Sequence, residues 1–297
     1  MEIIMHLDNA SILRAAEWLR SARHVVVFTG AGVSVESGIA TFRDSGGFWQ
    51  RFPPDQFANW NGLLKIAAGK PKLLAEFLLE VLAPVAAAAP NPAHRAIADL
   101  EKHTRVTVIT QNVDRLHQDA GSTTVHEVHG SLFEIVGKDG EFVRLLSRPQ
   151  MQDIVRSLQR AARGPLTLPR LLWAIRSLYG PGRKVFHRPS IVLFGDAMAE
   201  PAWSDSWEAA RECDCFLIVG TSCVVMPAAM LPHEAQMSGA SVIGIGPEEG
   251  RADVWLRGPA GEILPRLVRA AFGQQTQCPN SLTQPNDRAC WSDNPGT

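Results

Sequence analysis

The sequence is poor in cysteine, has no excess of either charge and contains no long apolar run. Its five cysteines, Cys213, Cys215, Cys223, Cys278 and Cys290, are odd in number and lack the spacing of a disulfide framework. That argues against a disulfide-stapled secreted scaffold and predicts a reducing, cytoplasmic setting. Lysine plus arginine (29) nearly balance aspartate plus glutamate (30), leaving a formal net charge of −1. No global field therefore draws the chain to nucleic acid or to a membrane, and neither is expected as a partner. No stretch reaches the apolar length of a membrane span. The opening residues, MEIIMHLDNASILRAAEWLRSARH, lack a basic start and a small-residue cleavage site. They read as an amphipathic helix capped by Asn9 or Ser11, with Ile12, Leu13, Ala16 and Leu19 on one face, and not as a secretion signal.

What is present is an α/β pattern. With 297 residues the chain can bury a sizeable core, as one large domain or a large one with a smaller insert. Val25 to Phe28 is a continuous apolar run, the mark of a strand buried on both faces, and it leads into Gly30-Ala31-Gly32. Glycines at a strand–helix junction allow a sharp turn and close approach by a phosphate, which the following N–H groups can bind. Val35 stands where the usual dinucleotide fingerprint has its third glycine. The segment after Gly32, with Ser34, Ser37, Gly38, Phe42, Arg43 and Asp44, therefore reads as a polar loop more than a helix packed on a sheet. Trp49–Asn61 is aromatic and broken by proline, and reads as a covering loop. Helices are expected over Pro71–Ala83 and from Pro90-Asn91-Pro92 to near Leu100, then strands at Arg105–Thr110 and Val125–Val128. Further strands are expected at Ile191–Phe194, Cys215–Val219, Ser241–Ile245 and Asp253–Leu256. Helices at Trp203–Glu212, Pro227–Ser238 and Glu262–Phe272 separate these later strands. Such alternation predicts a doubly wound, mostly parallel sheet.

Residues 137–188 differ in composition, with 11 Lys and Arg against 3 Asp and Glu, a local charge of about +8. Met151, Ile154, Val155 and Leu158 follow helical spacing, as do Leu171, Leu172, Ile175, Leu178 and Tyr179. A helical hairpin inserted into the sheet domain is expected, as a small solvated subdomain and not a nucleic-acid patch. The expected organisation is a catalytic sheet domain from residues 1–136 and 189–272, the insert at 137–188, and a disordered tail at 273–297.

Small polar residues end the strands: Gly30–Gly32, Gln111-Asn112-Val113-Asp114, His129-Gly130, Gly195-Asp196 and Gly220-Thr221-Ser222. In open parallel sheets, ligands bind outside those carboxyl ends. Each group has an ordinary alternative. Asn112 can cap the next helix, His129 can be a hydrogen-bonded structural residue, and Gly-Thr-Ser can be a turn. Recurrence on successive strand ends favours one shared crevice.

These segments resemble the sirtuins, the NAD-dependent protein lysine deacylases. GAGVSVESGIATFRD is similar to their GAG-x-S-x-x-SGIP-x-FR motif, and TQNVDRLHQDAG to TQN-[IV]-D-x-LH-x-x-AG. HEVHGS resembles the segment carrying the family's catalytic histidine, and FGD, GTSCVVMPAAMLP and RGPAGEILPRLV follow in family order. The resemblance spans about Ala15 to Val268, apart from the insert. It implies a Rossmann-like fold and NAD as cosubstrate. It implies an acylated lysine protein or peptide as partner, and nicotinamide, free lysine and O-acyl-ADP-ribose as products. Carried over, Gly30, Ala31, Gly32 and Ser34 would cradle the NAD diphosphate, and Phe42 and Arg43 would lie over the nicotinamide ribose. Gln111 would contact that ribose, Asn112 and Asp114 would line the nicotinamide pocket, and His129 would be the general base. Gly220, Thr221, Ser222 and Gly246 would lie on the adenosine side. Gly195, Asp196, Val225, Met226 and Pro227 would flank the substrate peptide.

Three departures stand out. Most sirtuins carry a zinc module with two cysteine pairs after the histidine, whereas no cysteine lies between His129 and Arg188. No zinc is expected, and the inserted helices, with Trp173, are expected to take the module's place. Ala40 stands at the usual loop proline, and Gly246 where many relatives have an asparagine, leaving backbone N–H or Glu248 for that contact. The run from Phe42 to Trp49 resembles the class containing desuccinylases, yet the positions of its Tyr-x-x-Arg pair fall near Leu78 and Val81. Neutral acyl groups are therefore expected. The alternatives are an NAD glycohydrolase or ADP-ribosyltransferase on the same scaffold, and a non-catalytic NAD-binding module.

Overall fold

The described residues contain ten strands: β1 (His24–Thr29), β2 (Arg105–Thr110), β3 (Val125–Glu127), β4 (Glu134–Val136), β5 (Phe142–Leu145), β6 (Gly180–Pro181), β7 (Phe186–Pro189), β8 (Cys215–Val219), β9 (Ser241–Gly246) and β10 (Val254–Arg257). The structure, a computed structural model, describes residues 9–41, 48–163, 165, 168–181 and 186–273. Phe42 and Arg43, and the tail expected beyond Gly273, lie outside the described residues.

Six strands form one all-parallel sheet in the order β10-β9-β8-β1-β2-β3. β1 is buried along its whole length because helices cover both faces. Val25 and Val27 pack with helices Asn9–Ser21, Pro92–Leu100 and Ala260–Phe272. Val26 and Phe28 pack on the other face with helices Ala202–Glu212 and Leu231–Met237. This double coverage explains the unbroken apolar run Val25–Phe28 within it. From β1 the chain steps outward through β2 and β3, then returns to β8 on β1's other side and steps outward again. The direction reverses between β1 and β8, and the crevice at such a switch point takes the ligand in open α/β sheets.

A second core lies beside the sheet. The helical spacing read from Met151, Ile154, Val155 and Leu158 is realised in helix Arg148–Ala162, which begins with a capping box between Ser147 and Gln150. It packs with helices Pro71–Ala87 and Leu168–Ala174 around Leu74, Leu82, Phe133 and Leu171. The same core takes in an antiparallel sheet, β5-β4-β7-β6, which the sequence reading did not contain. β4 and β5 have three and four residues, too few to show a period, and all of β5 is exposed.

Three local expectations are corrected. Trp49–Asn61 is not a covering loop. It holds short helices Phe48–Arg51 and Pro54–Phe57 and the start of helix Trp60–Gly69. Pro54 begins a helix instead of breaking one, Asn59 caps the next, and Phe52 and Phe57 anchor both against Phe77 in the second core. Ile191–Phe194 is not a strand and joins neither sheet. Val192 N–H donates to the His129 carbonyl at 2.9 Å and Phe194 N–H to that of Ala58 at 2.8 Å. Ala31–Ser37 is a 3₁₀ helix, with Val33 and Ser34 buried beneath it, and not an irregular loop.

No single described helix is long and apolar enough to cross a membrane. Helices Pro71–Ala87 and Pro92–Leu100, bent by 58°, pass that test together on length and composition alone, and their apolar residues lie in the two cores.

Gly130 joins the sheet to segment 190–196. It has φ 70°, and a Cβ there would lie 2.0 Å from the Ser190 carbonyl oxygen. Gly130→Ala is expected to lose about 1–3 kcal/mol or more of stability, read as a lower urea midpoint at unchanged slope.

Candidate active site

The switch point is closed by two loops that nearly touch. Gly32 N–H donates to the Gly220 carbonyl at 2.8 Å, and Gly30 N–H to that of Val219 at 3.3 Å. A Cβ on Gly32 would fall 2.6 Å from the Gly220 oxygen, and one on Gly30 2.7 Å from Thr221 Cβ. The first reason for glycine here is thus the crossing of the β1 and β8 loops, with room for a phosphate second. The 3₁₀ helix is pinned from both sides. Glu36 Oε2 accepts the Gly261 N–H at 2.7 Å, while Asn91 Nδ2 donates to the Val33 carbonyl at 2.7 Å and to Ser37 Oγ at 3.1 Å.

The end of β2 meets these loops through side chains. Gln111 Nε2 donates to Thr221 Oγ1 at 2.9 Å. Asn112 Nδ2 donates to the Gly30 carbonyl at 3.1 Å and to Ser34 Oγ at 3.2 Å, so its ordinary reading as a helix cap does not hold. Ser34 Oγ donates to Asp114 Oδ2 at 2.7 Å, and the capping role falls to Asp114 Oδ1, which accepts the Leu116 N–H at 3.0 Å. Burial raises the Asp114 pKa above the ordinary carboxylate value, opposed by the bonds from Leu116 and Ser34. Arg148, from the insert, donates to the Asp114 carbonyl at 2.9 Å and pairs with Asp119 at 2.6 Å. Sequence reading missed Arg148, because nothing local marks it among the basic residues of the insert.

Below this wall runs a buried chain that was also missed. Thr29 Oγ1 donates to Thr110 Oγ1 at 2.8 Å, and Thr110 Oγ1 accepts the Asn112 N–H at 3.1 Å. His117 Nε2 lies 3.0 Å from Thr29 Oγ1 and continues the chain. His94 Nδ1 accepts the Asn91 N–H at 3.4 Å, so its Nε2 carries the proton. His117 Nδ1 and His94 Nε2 have no partner among the described residues, and the two rings lie 4.8 Å apart. Burial lowers His94 to about 4 and His117 well below the ordinary value, so both are neutral at pH 7.

At the end of β3, His129 Nδ1 lies 3.1 Å from the Gln111 carbonyl oxygen. A carbonyl only accepts, so Nδ1 carries the hydrogen and Nε2 is left with a lone pair. Burial pulls the His129 pKa below the ordinary 6.5, partly countered by this bond. His129 is therefore a neutral base at physiological pH. Gln111 also ties it to Thr221, and through the neighbouring Asn112 to Ser34 and Asp114.

The remaining expected residues lie around this cluster. Ser222 continues the Thr221 turn, and Val225 and Met226 are exposed, Met226 by 64%. Gly246 ends β9 beside Gly220, but its carbonyl is taken by Trp255 Nε1 and Gly258 N–H, both at 3.1 Å. Asp196 is exposed, yet its carboxylate accepts from Trp60 Nε1 at 2.9 Å and Leu193 N–H at 3.1 Å. Cys213 and Cys215 are buried in the sheet domain, and burial pushes the Cys213 thiol up to about 12. Among the described residues no three His, Cys, Asp or Glu side chains are grouped as metal ligands.

His117→Leu keeps the ring's approximate bulk but removes the hydrogen bond with Thr29. A loss of about 1–3 kcal/mol is expected in denaturant unfolding.

The Sir2 family pattern matches residues 30–227, from the first glycine of the β1 loop to Pro227. An NAD-dependent protein deacylase of Desulfosudis oleivorans is 42% identical over 272 residues, covering 89% of this chain and 96% of its own. A Sir2 homologue solved as an NAD complex superposes with a TM-score of 0.69 at 31% identity, over 87% of this chain and 93% of its own. Sir2Af2 bound to a myristoylated histone peptide superposes with a TM-score of 0.64 at 32% identity, over 89% of this chain and 97% of its own. With such coverage at both ends of the alignment, the chain belongs to the Sir2 family.

Proposed function

We propose that this protein is an NAD-dependent lysine deacylase, moving an acyl group from a lysine side chain to ADP-ribose and releasing nicotinamide. The observation that carries the reading is His129, with its Nδ1–H held on Gln111 and a free Nε2, beside the polar wall of Ser34, Asn112 and Asp114 at the switch point. The deacylase relative and the NAD and acyl-peptide complexes of Sir2 proteins support it.

In this reading the Gly30–Ser34 segment receives the NAD diphosphate, with Gly220, Thr221, Ser222 and Gly246 on the adenosine side. Asn112 and Asp114 face the nicotinamide. Their positions are set before substrate arrives, so little reorganisation is needed in the reacting complex. Gln111 presents its side chain toward the ribose region while its carbonyl fixes the His129 tautomer. His129 Nε2 then takes the proton from a ribose hydroxyl as that oxygen attacks the acyl carbon. Residues 195–196 and 225–226 border the peptide. Phe42 and Arg43, expected over the ribose, lie outside the described residues.

The sheet-domain boundaries, the insert's role and zinc independence belong to the same proposal. The second core holds the insert through Met151, Leu158 and Leu171, so packing takes the place of a metal. Leu78 is buried in that core and Val81 packs against it, so neither position supplies a cation for an acidic acyl group. Free thiols at Cys213, Cys215 and Cys223 agree with a cytoplasmic setting.

Incubation with NAD should release nicotinamide in step with O-acyl-ADP-ribose, and only when acyl-peptide is present. Acetyl or longer neutral chains should outrun succinyl, dialysis against EDTA should leave the rate unchanged, and His129→Ala should lower it by about 10²–10⁴. Nicotinamide release indifferent to acyl-peptide would instead identify a glycohydrolase, and NAD binding without turnover a non-catalytic module.

The pH profile carries a sign. A base must be unprotonated to act, and the His129 pKa is depressed, so kcat/KM should fall on acidification with a midpoint below 6.5. Glu127, two residues away, is raised by burial to about 7. Glu127→Gln separates the two groups: it should leave the acid limb in place if His129 owns it.

A further inference from the structure

Segment 190–196, which ends in a turn, is fixed at one end beside His129 and at the other by a side-chain cluster. Ser190 Oγ accepts the Ser131 N–H at 3.0 Å, and Val192 N–H donates to the carbonyl of His129 itself. Toward Asp196, Phe194 N–H reaches the Ala58 carbonyl, and Asp196 Oδ2 receives both the Leu193 N–H and the Trp60 indole N–H. Gly195, at φ 93°, turns the chain so that the carboxylate points back at its own segment.

Trp60 is held in turn by the insert. The Arg188 guanidinium lies 4.9 Å over its ring, and the Tyr179 ring packs edge-on at 6.2 Å. Arg188 also donates to the Pro189 carbonyl at 3.0 Å and the Ile191 carbonyl at 3.4 Å. The cation lies on the ring face and the indole N–H points to the carboxylate, so all three groups are engaged.

We infer that Trp60, clamped between Arg188 and Asp196, is a positioning residue for the acyl-peptide, acting through segment 193–196 and not through NAD. The inference rests on the deacylase reading. Asp196 serves as the anchor of the substrate-binding turn, with its carboxylate directed inward. The basic insert thereby sets the place of the peptide edge through one hydrogen bond and one stacked cation. An exposed turn ending in a free glycine would otherwise sample many positions, and the cost of ordering it would appear as weaker peptide binding.

Trp60→Phe keeps the ring for Arg188 and deletes only the N–H donor, and Asp196→Ala deletes the acceptor. Each should raise KM for an acetyl-lysine peptide by about fivefold to tenfold, and Trp60→Phe, which lies outside the residues bordering the peptide, should keep kcat and KM for NAD within about twofold. In a double-mutant cycle the two effects should not add, because both remove the same bond. An unchanged peptide KM in Trp60→Phe, additive effects, or an equal loss in kcat and NAD affinity would overturn the inference. The indole ¹⁵N–H resonance lost in Trp60→Phe should also move in Asp196→Ala, and a resonance that stays put overturns the clamp. That measurement needs no turnover. A wild type inactive on every acyl-peptide therefore refutes the deacylase reading without being confused with failure of the clamp.

Discussion

The near-contact of two loops across the switch point governs the rest of the site. Gly30 and Gly32 approach Gly220 and Thr221 at distances no Cβ would permit. Once that crossing is made, the 3₁₀ helix must start at Ala31, and Ser34 is carried inward onto Asp114. Asn112 then has a carbonyl and a hydroxyl within reach of its amide. Gln111 is brought to Thr221, and its backbone carbonyl to His129. The polar groups of four strand ends satisfy one another in this way. Buried amides and carboxyls are tolerable only on those terms.

The chain uses its two cores differently. The sheet core is regular, covered on both faces, and supplies the strand ends at fixed spacing. The second core is assembled from pieces distant in sequence: the helices after Phe48, the helix Pro71–Ala87 and the insert. Contacts from this second body reach the polar wall at named points. Arg148 holds the Asp114 carbonyl and Asp119, and Trp60 meets Arg188 and Asp196. Packing of apolar helices, with charged side chains directed at backbone carbonyls, ties the insert to the site.

Much of the site was legible residue by residue, because the chemistry sits at strand ends where periodicity changes. Val25–Phe28 announced a doubly covered strand, and the polar groups after β1, β2, β3 and β8 announced the crevice. Other parts were not legible. β4 and β5 are too short to show a pattern, and the prolines near Trp49 look alike whether they break a loop or start a helix. Ile191–Phe194 is apolar like a strand, but its N–H groups are consumed by His129 and Ala58. Arg148, His117 and Trp60 meet partners 29 to 136 positions away, so no local pattern could single them out, whereas His94 sits in a local capping box with Asn91.

By itself the sequence determined the strands of the parallel sheet and the main helices around them, the doubly wound class, the family and the set of polar residues available for chemistry. These follow from side-chain period, glycine placement and residue type, all of which are local. Only the tertiary structure decided which nitrogen of His129 is free, which group caps helix Leu116–Ala120, and why the β1 loop requires glycine. It also decided that Asp196 turns inward to Trp60. Those outcomes depend on donors and acceptors brought together from distant positions, and a hydrogen bond's direction is settled only when both ends of it are in place.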